Sequence, residues 1–272
     1  MIKGGQFGAF VVAAMIGFSS APGGASAAQC GNNSAGFEAW KGQFANEAKG
    51  RGVGAAGVAA LQGTHYNGAT IGADRGQHGF RLSLDQFMAK RGGSTIAARG
   101  RSLKQSNAGL FASIQQRYGV PAGPLIAIWG FETGFGAVHG NQHALSAVAT
   151  LAYDCRRSAF FTDQLYAALT LIDKGLMSAN ERGSMHGEIG QTQFLPKNIL
   201  AYGGGANLDT PSGALNATAA FLKAHGWQAG AGYQPGEANF AALQAWNAAS
   251  VYQQAIAMVG QKIDGGDAAA RR

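Results

Sequence analysis

The sequence predicts a mainly α-helical protein with at most a small β-hairpin. Apolar residues recur at intervals of three and four over most of the chain, which is the period of a helix with one buried face. Alternating apolar and polar runs, which are typical of strands, are scarce. Hydrophobic residues make up 46% of the 272 positions, so such helices can enclose a core and wholesale disorder is excluded.

The helical patterns follow one another along the chain and are separated by glycine, proline and short polar segments. A loop is predicted at 65–78, where glycines are frequent and no period is clear. A turn is predicted at Arg91 to Gly93, and a candidate hairpin at Ser184 to Phe194. In order, helical patterns cover Phe37 to about Leu61, Phe80 to Met88, Leu110 to Tyr118, Pro124 to Thr133, Ala144 to Leu151, Ser158 to Ile172, Asn198 to Tyr202, Leu215 to His225, and two stretches between Phe240 and Ile263.

The first 28 residues have the order of a secretory signal peptide. Lys3 precedes an apolar run at 7–18, and small residues follow at 25–27. The apolar run is too short to span a bilayer, which disfavours an N-terminal anchor, and no later segment reaches that length. We expect cleavage after Ala27 or Ala28, a periplasmic location and no stable membrane insertion. Since residues 29–272 contain no repeat or low-complexity linker, we expect one domain with an N-terminal helical lobe.

Cysteine content and charge narrow the environment and the partners. An exported chain with two cysteines, Cys30 and Cys155, favours a disulfide between them over two separate thiols. The net charge of +7 and the pI near 9.6 suit an acidic polymer such as cell wall. No base-reading motif argues for nucleic acid. The sequence carries no signal for an oligomeric state.

One carboxylate lies at the end of the most apolar helical pattern. Pro124 suits the first turn of that helix and Gly134 the position after its last turn. Residues three, four and seven before Glu132 share its face, and all three are apolar: Trp129, Ile128 and Leu125.

This setting predicts that Glu132 points inward and holds its proton. Apolar neighbours and the negative end of the helix dipole both raise the pKa of a carboxyl group. A glutamic acid that is protonated near neutral pH can act as the general acid that protonates a glycosidic oxygen. The alternative is a surface glutamate that faces solvent or pairs with an arginine. The apolar face favours the inward orientation, and so do Gly134 and Gly136, which let another segment approach closely.

Four motifs resemble those of the membrane-bound lytic transglycosylase B family, and the likeness runs in the same order from about Phe37 to Ile263. Members of that family have a lysozyme-like, mainly helical core and cut peptidoglycan between N-acetylmuramic acid and N-acetylglucosamine. The resemblance implies the same fold and glycan strands as the partner, with Glu132 as the one catalytic acid/base. The motifs are Gly130 to Gly136 (GFETGFG), Ala147 to Tyr153 (AVATLAY), Gly190 to Pro196 (GQTQFLP) and Lys223 to Trp227 (KAHGW).

The resemblance also implies a set of residues that bind the sugar chain. Amides, hydroxyls and aromatic faces are the groups that a glycan needs in a cleft. Each of them alone has an ordinary structural alternative, such as a turn cap or a core ring at helical spacing, so only the joint match singles them out. By position, the set is Ser184, Gln193, Phe221 (where a tyrosine is common), Trp246, Asn247 and Tyr252.

The sequence predicts no metal and no cofactor. Some members of the family carry an Asp-rich, EF-hand-like loop before the next helix, whereas residues 201–209 here are rich in glycine and hold one carboxylate, Asp209. His139 and His143 have helical spacing, but they lack a third ligand and an adjacent base.

Three functions are compatible with these residues. The first is a lytic transglycosylase that closes a 1,6-anhydro ring with the sugar's own 6-hydroxyl. The second is a lysozyme-like hydrolase, which normally requires a second carboxylate, for which Glu188 and Asp154 are available. The third is a non-catalytic wall-binding protein, which would gain nothing from a desolvated Glu132. The sequence favours the first.

Overall fold

A computed structural model describes residues 28–76 and 82–265. In these residues the chain forms a short 3-10 helix, Ser34–Gly36, and a series of α-helices, which confirms the predicted mainly α fold. None of these helices is long and apolar enough to cross a membrane. The helices are α1 (Phe37–Gly50), α2 (Ala55–Gln62), α3 (Gly68–Arg75), α4 (Leu84–Lys90), α5 (Gly93–Ser106), α6 (Ala108–Tyr118), α7 (Ala122–Thr133), α8 (Ala144–Tyr153), α9 (Ser158–Asp173), α10 (Pro196–Tyr202), α11 (Pro211–Ala224), α12 (Phe240–Trp246) and α13 (Ser250–Asp264).

Helix α7 lies at the centre of the core, with α5 and α13 packed along it. Every residue of α7 except Glu132 is buried. The helix begins at Ala122, two residues before Pro124, and ends before Gly134, which has a left-handed backbone with φ 59°. The predicted helix and its C-terminal glycine are therefore confirmed. A helix that is apolar on all sides is covered on all sides, so its end is fixed rigidly in the protein.

Two helices, α3 and α5, differ from the prediction made from the sequence. Helix α3 occupies most of the predicted loop at 65–78. Its N-terminus is capped by the Asn67 side chain, which accepts from the Thr70 amide at 3.2 Å, and buried Asp74 pairs with Arg157 at 2.8 Å. Helix α5 was not predicted. Its Gly100 lies so close to neighbouring helices that an added Cβ would lie 2.6 Å from the Cδ1 of Ile263, so the glycine that weakens the pattern serves the packing.

The regular sheet also differs from the prediction. Strand β1 (Gln142–His143) pairs antiparallel with β2 (Arg182–Gly183). The predicted hairpin at Ser184 to Phe194 is reduced to one antiparallel bridge between Ile189 and Phe194, because glycines with positive φ interrupt the segment.

The N-terminal segment is fastened to the turn after α8. Cys30 and Cys155 form a disulfide. Gly31 donates its amide to the Tyr153 carbonyl at 2.9 Å and accepts from the Cys155 amide at 3.2 Å. The predicted signal peptide, except for Ala28, lies within residues 1–27. Phe80, the first residue of a predicted helix, lies within residues 77–81. Both ranges are outside the described residues.

Candidate active site

Glu132 sits in the last turn of α7, where the chain reverses through three consecutive left-handed residues. Gly134, Phe135 and Gly136 have φ of 59°, 67° and 77°. A left-handed backbone is unfavourable for phenylalanine. It is held there by packing, because the Phe135 ring meets the Trp129 ring edge-on at 5.4 Å.

A second strained residue faces the same region. Gln193, with φ 55°, and Phe135 are the two non-glycine residues with positive φ in the described ranges. The two segments are tied together, since Thr133 donates its hydroxyl to the Gln191 carbonyl at 2.6 Å. Backbone strain of this kind persists where surrounding structure enforces it, and it is concentrated at functional sites.

A cavity of about 120 Å³ lies between these segments and α12. Four of the predicted site residues line it, namely Glu132, Gln193, Trp246 and Asn247. The remaining lining residues were not in the predicted site, and they are Glu188, Phe194, Leu195 and Asn198. The sequence places Asn198 near the site, because it lies two residues after Pro196, the last residue of the GQTQFLP motif. Nothing in the local sequence shows that its side chain turns toward Glu132.

Glu132 is partly exposed, and its carboxyl group accepts from two donors. The Tyr252 hydroxyl donates to its Oε1 at 2.7 Å and the Trp246 indole N–H to the same atom at 3.3 Å. Within the described residues, Oε2 has no hydrogen-bond partner. The proton of the acid is therefore expected on Oε2, because Oε1 is already occupied as an acceptor.

Burial raises the pKa of Glu132 from its ordinary 4.5 to about 7. The hydrogen bond from Tyr252 opposes this shift, the negative charge of Glu188 adds to it, and Trp246 and Arg91 oppose it more weakly. The predicted rise in pKa is thus reproduced, with desolvation as its main cause. A group with this pKa can give up a proton and take it back near neutral pH.

Two of the predicted sugar-binding residues lie behind the cavity and not on its wall. Tyr252 is 4% exposed, and its hydroxyl donates to Glu132. Phe221 is also 4% exposed, with its ring stacked on His225 at 3.9 Å and edge-on to Trp246 at 5.2 Å. Their helical spacing reflects core packing. We therefore assign them the tasks of holding Glu132 and supporting the Trp246 ring.

Gln193 and Asn247 keep polar groups available to the cavity. The Gln193 side-chain amide donates to the Gly190 carbonyl at 2.9 Å, and its carbonyl accepts nothing from the described residues. The Asn247 side-chain carbonyl accepts from the Ala249 amide at 2.9 Å, and its NH₂ group donates to nothing in the same ranges. One acceptor and one donor group are therefore free to meet a ligand.

Ser184, the remaining predicted sugar contact, is not among the residues that line the cavity. Its hydroxyl donates to Glu188 Oε2 at 2.7 Å. Glu188 thus lines the cavity, whereas the resemblance implied that Ser184 would do so.

Other polar residues considered from the sequence have structural partners elsewhere. Asp154 is buried beside the disulfide and accepts from Arg75 at 2.6 Å, so it is not available as a second carboxylate. His139 contacts Asp209 at 3.3 Å, and His143 Nδ1 accepts from the Ser146 amide at 3.1 Å as the cap of α8.

Larger cavities exist, including one of about 520 Å³ that contains Glu181 and Asp209 beside the glycine-rich loop. The pKa of Glu181 is raised by burial and by Asp209. No residue of that cavity has the strained backbone seen at Phe135 and Gln193. We therefore place the candidate site at the smaller cavity around Glu132.

Comparisons with known proteins show which family the chain resembles. The family model described as Transglycosylase SLT domain matches residues 36–235. Membrane-bound lytic murein transglycosylase B from Escherichia coli (strain K12) is 36% identical over 123 residues, which are 42% of this chain and 34% of that protein. The match thus spans about a third of the relative's length.

Solved structures match over more of the chain. SltB3 from Pseudomonas aeruginosa, in complex with NAG-anhNAM-pentapeptide, is similar with a TM-score of 0.76 and 26% identity, and the match covers 84% of this chain and 80% of that one. Slt35 from Escherichia coli, in complex with bulgecin A, has a TM-score of 0.71 at 20% identity over 89% of this chain and 97% of its own. These structures confirm the predicted lysozyme-like helical fold.

Proposed function

Because the chain belongs to the Transglycosylase SLT domain family, we propose that it is a lytic transglycosylase acting on peptidoglycan. It cleaves the β-1,4 bond between N-acetylmuramic acid and N-acetylglucosamine and leaves 1,6-anhydro-N-acetylmuramic ends. The observation that carries this proposal is one acid, Glu132, with a pKa near 7 in a cavity lined by amides and an indole ring. The SltB3 complex with an anhydro-sugar peptide supports the substrate class.

The first chemical step is protonation of the leaving group. The Oε2–H of Glu132 transfers its proton to the glycosidic oxygen, and the bond from that oxygen to the anomeric carbon breaks. Tyr252 and Trp246 hold Oε1 during this step, so the carboxyl group keeps its orientation. They also stabilise the carboxylate that results, because hydrogen bonds to an ionised group are the stronger ones.

The second step uses the same residue as a base. The Glu132 carboxylate removes the proton from the 6-hydroxyl of the muramic sugar, and that oxygen bonds to the anomeric carbon. Glu132 ends protonated as it began, and no water enters the product. Gln193 and Asn247 are proposed to hold the sugar by hydrogen bonds, and Trp246 by the face of its ring.

Hydrolysis is the second candidate, because Glu188 places another carboxylate on the same cavity. In inverting and retaining glycosidases, a second carboxylate activates water or attacks the sugar. Ser184 already donates to Glu188 Oε2 at 2.7 Å, so this oxygen is partly occupied and less free to bind a water or attack the sugar, which favours the transglycosylase.

Mass spectrometry of the products from purified peptidoglycan separates the two reactions. We expect anhydro-muramic ends without added water, whereas reducing ends heavier by one water would show a hydrolase.

Glu132→Gln should lower cleavage to background while the protein stays folded. Glu181→Gln is the matched control, since Glu181 also has a raised pKa but lies in another cavity, and it should cleave normally. Full activity of Glu132→Gln would refute the assignment of the acid.

We also propose that the protein acts in the periplasm after cleavage of a signal peptide near Ala27 or Ala28, and that the mature chain is one domain. The signal-like order of the first 28 residues and a cell-wall substrate support this location. N-terminal sequencing of the secreted protein should give Ala28 or Gln29 as the first residue. Recovery of Met1 from the periplasmic fraction would contradict it.

A further inference from the structure

The hydroxyl of Ser184 has no capacity left for a ligand. A serine hydroxyl offers one donor and two acceptor positions. The donor is used by Glu188 Oε2 at 2.7 Å, and the acceptors are used by the backbone amides of His186 at 3.1 Å and Glu188 at 3.2 Å. All three partners belong to one turn of the chain, so the hydroxyl stabilises that turn internally.

The turn itself is closed and closely packed. The Ser184 amide donates to the Glu188 carbonyl at 2.9 Å. At Gly187, φ is 81° and an added Cβ would lie 2.4 Å from a methyl of Val148, so the backbone is pressed against α8. The side chain of Glu188 is thereby fixed at both its backbone and one of its oxygens.

Glu188 meets the cavity that Ser184 does not reach. It lines the cavity together with Glu132, Gln193 and Asn247. Ser184 occupies one acceptor position of Oε2, and a carboxylate has about four such positions on its two oxygens. Acceptor capacity for a sugar hydroxyl or acetamido N–H is therefore present on Glu188, in the form of an anion, which makes the stronger hydrogen bond.

We infer that Glu188 is a catalytic residue that accepts a hydrogen bond from the sugar beside the scissile bond, and that Ser184 is its positioning residue. This inference rests on the proposed transglycosylase function and assigns the contact to a residue that sequence resemblance did not indicate. The negative charge of Glu188 also stabilises the positive charge that develops at the anomeric carbon when the glycosidic bond breaks.

The inference is tested with Glu188→Ala, Glu188→Gln, Ser184→Ala and the double variant Ser184→Ala/Glu188→Ala. Loss of a hydrogen bond to a charged acceptor should lower kcat/KM about ten- to a hundredfold in Glu188→Ala. Ser184→Ala should cost less, about three- to tenfold, because the carboxylate remains but is less well oriented. The double variant should equal Glu188→Ala, since the serine acts only through the glutamate.

The pH profile separates a direct role of Glu188 from a merely structural one. The groups that act on Glu132 are Tyr252 from α13, Trp246 from α12, Arg91 and Glu188, and of these only Glu188 adds to the rise of its pKa. Glu188→Gln can still accept from Ser184 but carries no charge. Its alkaline limb should therefore move to lower pH, whereas Ser184→Ala should leave the limb in place.

A binding experiment keeps the test independent of turnover. The same variants, placed in the inactive Glu132→Gln background, are titrated with GlcNAc-1,6-anhydro-MurNAc by calorimetry. We expect weaker binding for Glu188→Ala than for Ser184→Ala. If unsubstituted protein yields no anhydro ends but this order of affinities holds, the proposed reaction fails and the contact stands.

Two results would overturn the inference. One is a Ser184→Ala defect at least as large as that of Glu188→Ala, with additive losses in the double variant, which would show that the serine contacts sugar directly. The other is unchanged kcat/KM and binding in Glu188→Ala. Folding is checked by the melting temperature of each variant, and Glu188→Gln, which retains an acceptor for Ser184, keeps the test valid if Glu188→Ala unfolds.

Discussion

Replacing Tyr252 with Phe removes one oxygen and tests the tuning of Glu132. The Tyr252 hydroxyl donates to Glu132 Oε1 at 2.7 Å and opposes the rise of its pKa. The pKa of Tyr252 itself is raised well above 10 by burial, so the hydroxyl stays protonated and donates throughout the working pH range. The variant should therefore raise the pKa of Glu132 above its value of about 7.

The size of the effect follows from the two charge states. A hydrogen bond to an ionised group contributes roughly 1.5–3 kcal/mol and one to a neutral group roughly 0.5–1.5 kcal/mol. The midpoints of these ranges differ by about 1.3 kcal/mol, which is close to one pKa unit. We expect the alkaline limb of kcat/KM to move from near pH 7 to roughly pH 8. Trp246 remains as a donor to Oε1, so the carboxyl group is not left unsatisfied.

The assay is kcat/KM against pH on solubilised glycan strands. The matched control is Tyr233→Phe, which removes a half-buried hydroxyl that donates to Asp264 at 2.8 Å, away from the cavity, and should leave the limb in place. Melting temperatures of both variants show whether the fold is kept. A limb that stays at pH 7 or moves to lower pH in Tyr252→Phe would refute the reasoning.

Three further predictions concern stability and strain. Glu132→Gln should be no more stable than the unsubstituted protein at pH 4, but more stable by up to about 3 kcal/mol above pH 7. The reason is that the unfolded chain ionises Glu132 near pH 4.5, whereas the folded protein keeps it protonated up to about pH 7. Denaturant titrations that give equal differences in unfolding free energy at both pH values would contradict this. Replacing Cys30 and Cys155 by Ser should lower the melting temperature by roughly 10 °C, because the unfolded chain gains about 4–5 kcal/mol of conformational freedom when the loop is opened. A change below 2 °C would contradict a stabilising role of the disulfide. Gln193→Gly should keep the melting temperature within about 2 °C, because glycine readily adopts φ 55°. Turnover should fall about tenfold, because the side-chain amide is lost. A strong loss of stability would show that the amide serves the fold.

The parts of this molecule that local periodicity determines could be predicted. The apolar pattern before Glu132 and the glycine after it fix the end of α7, and the structure places them as expected. Helices α3 and α5 could not be found in this way. Their glycines lower helical propensity, and their stability comes from contacts with distant segments, such as Gly100 against Ile263 and Asp74 against Arg157.

The candidate site shows a similar division. Gln193 and Asn247 line the cavity as the resemblance implied, whereas Phe221 and Tyr252 lie behind it because helical spacing cannot tell a core ring from a ring that faces a cleft. Glu188 lines the cavity and Ser184 does not, because the serine hydroxyl is hydrogen-bonded to Glu188 within a tight turn. Sequence position alone does not reveal these hydrogen bonds.

The environment of Glu132 meets two opposing requirements of one residue that acts first as acid and then as base. Burial and the charge of Glu188 favour the protonated form, while Tyr252, Trp246 and Arg91 favour the carboxylate. Because each pKa unit is worth about 1.4 kcal/mol, a pKa near 7 keeps both forms within roughly that energy of each other between pH 6 and 8. Loss of the Tyr252 hydroxyl should therefore penalise proton donation, which leaves Glu132 as the carboxylate, and loss of the Glu188 charge should make that carboxylate a weaker base in the second step. The alkaline limbs of the two variants should move in opposite directions, which is a pattern that a general disturbance of the fold would not produce.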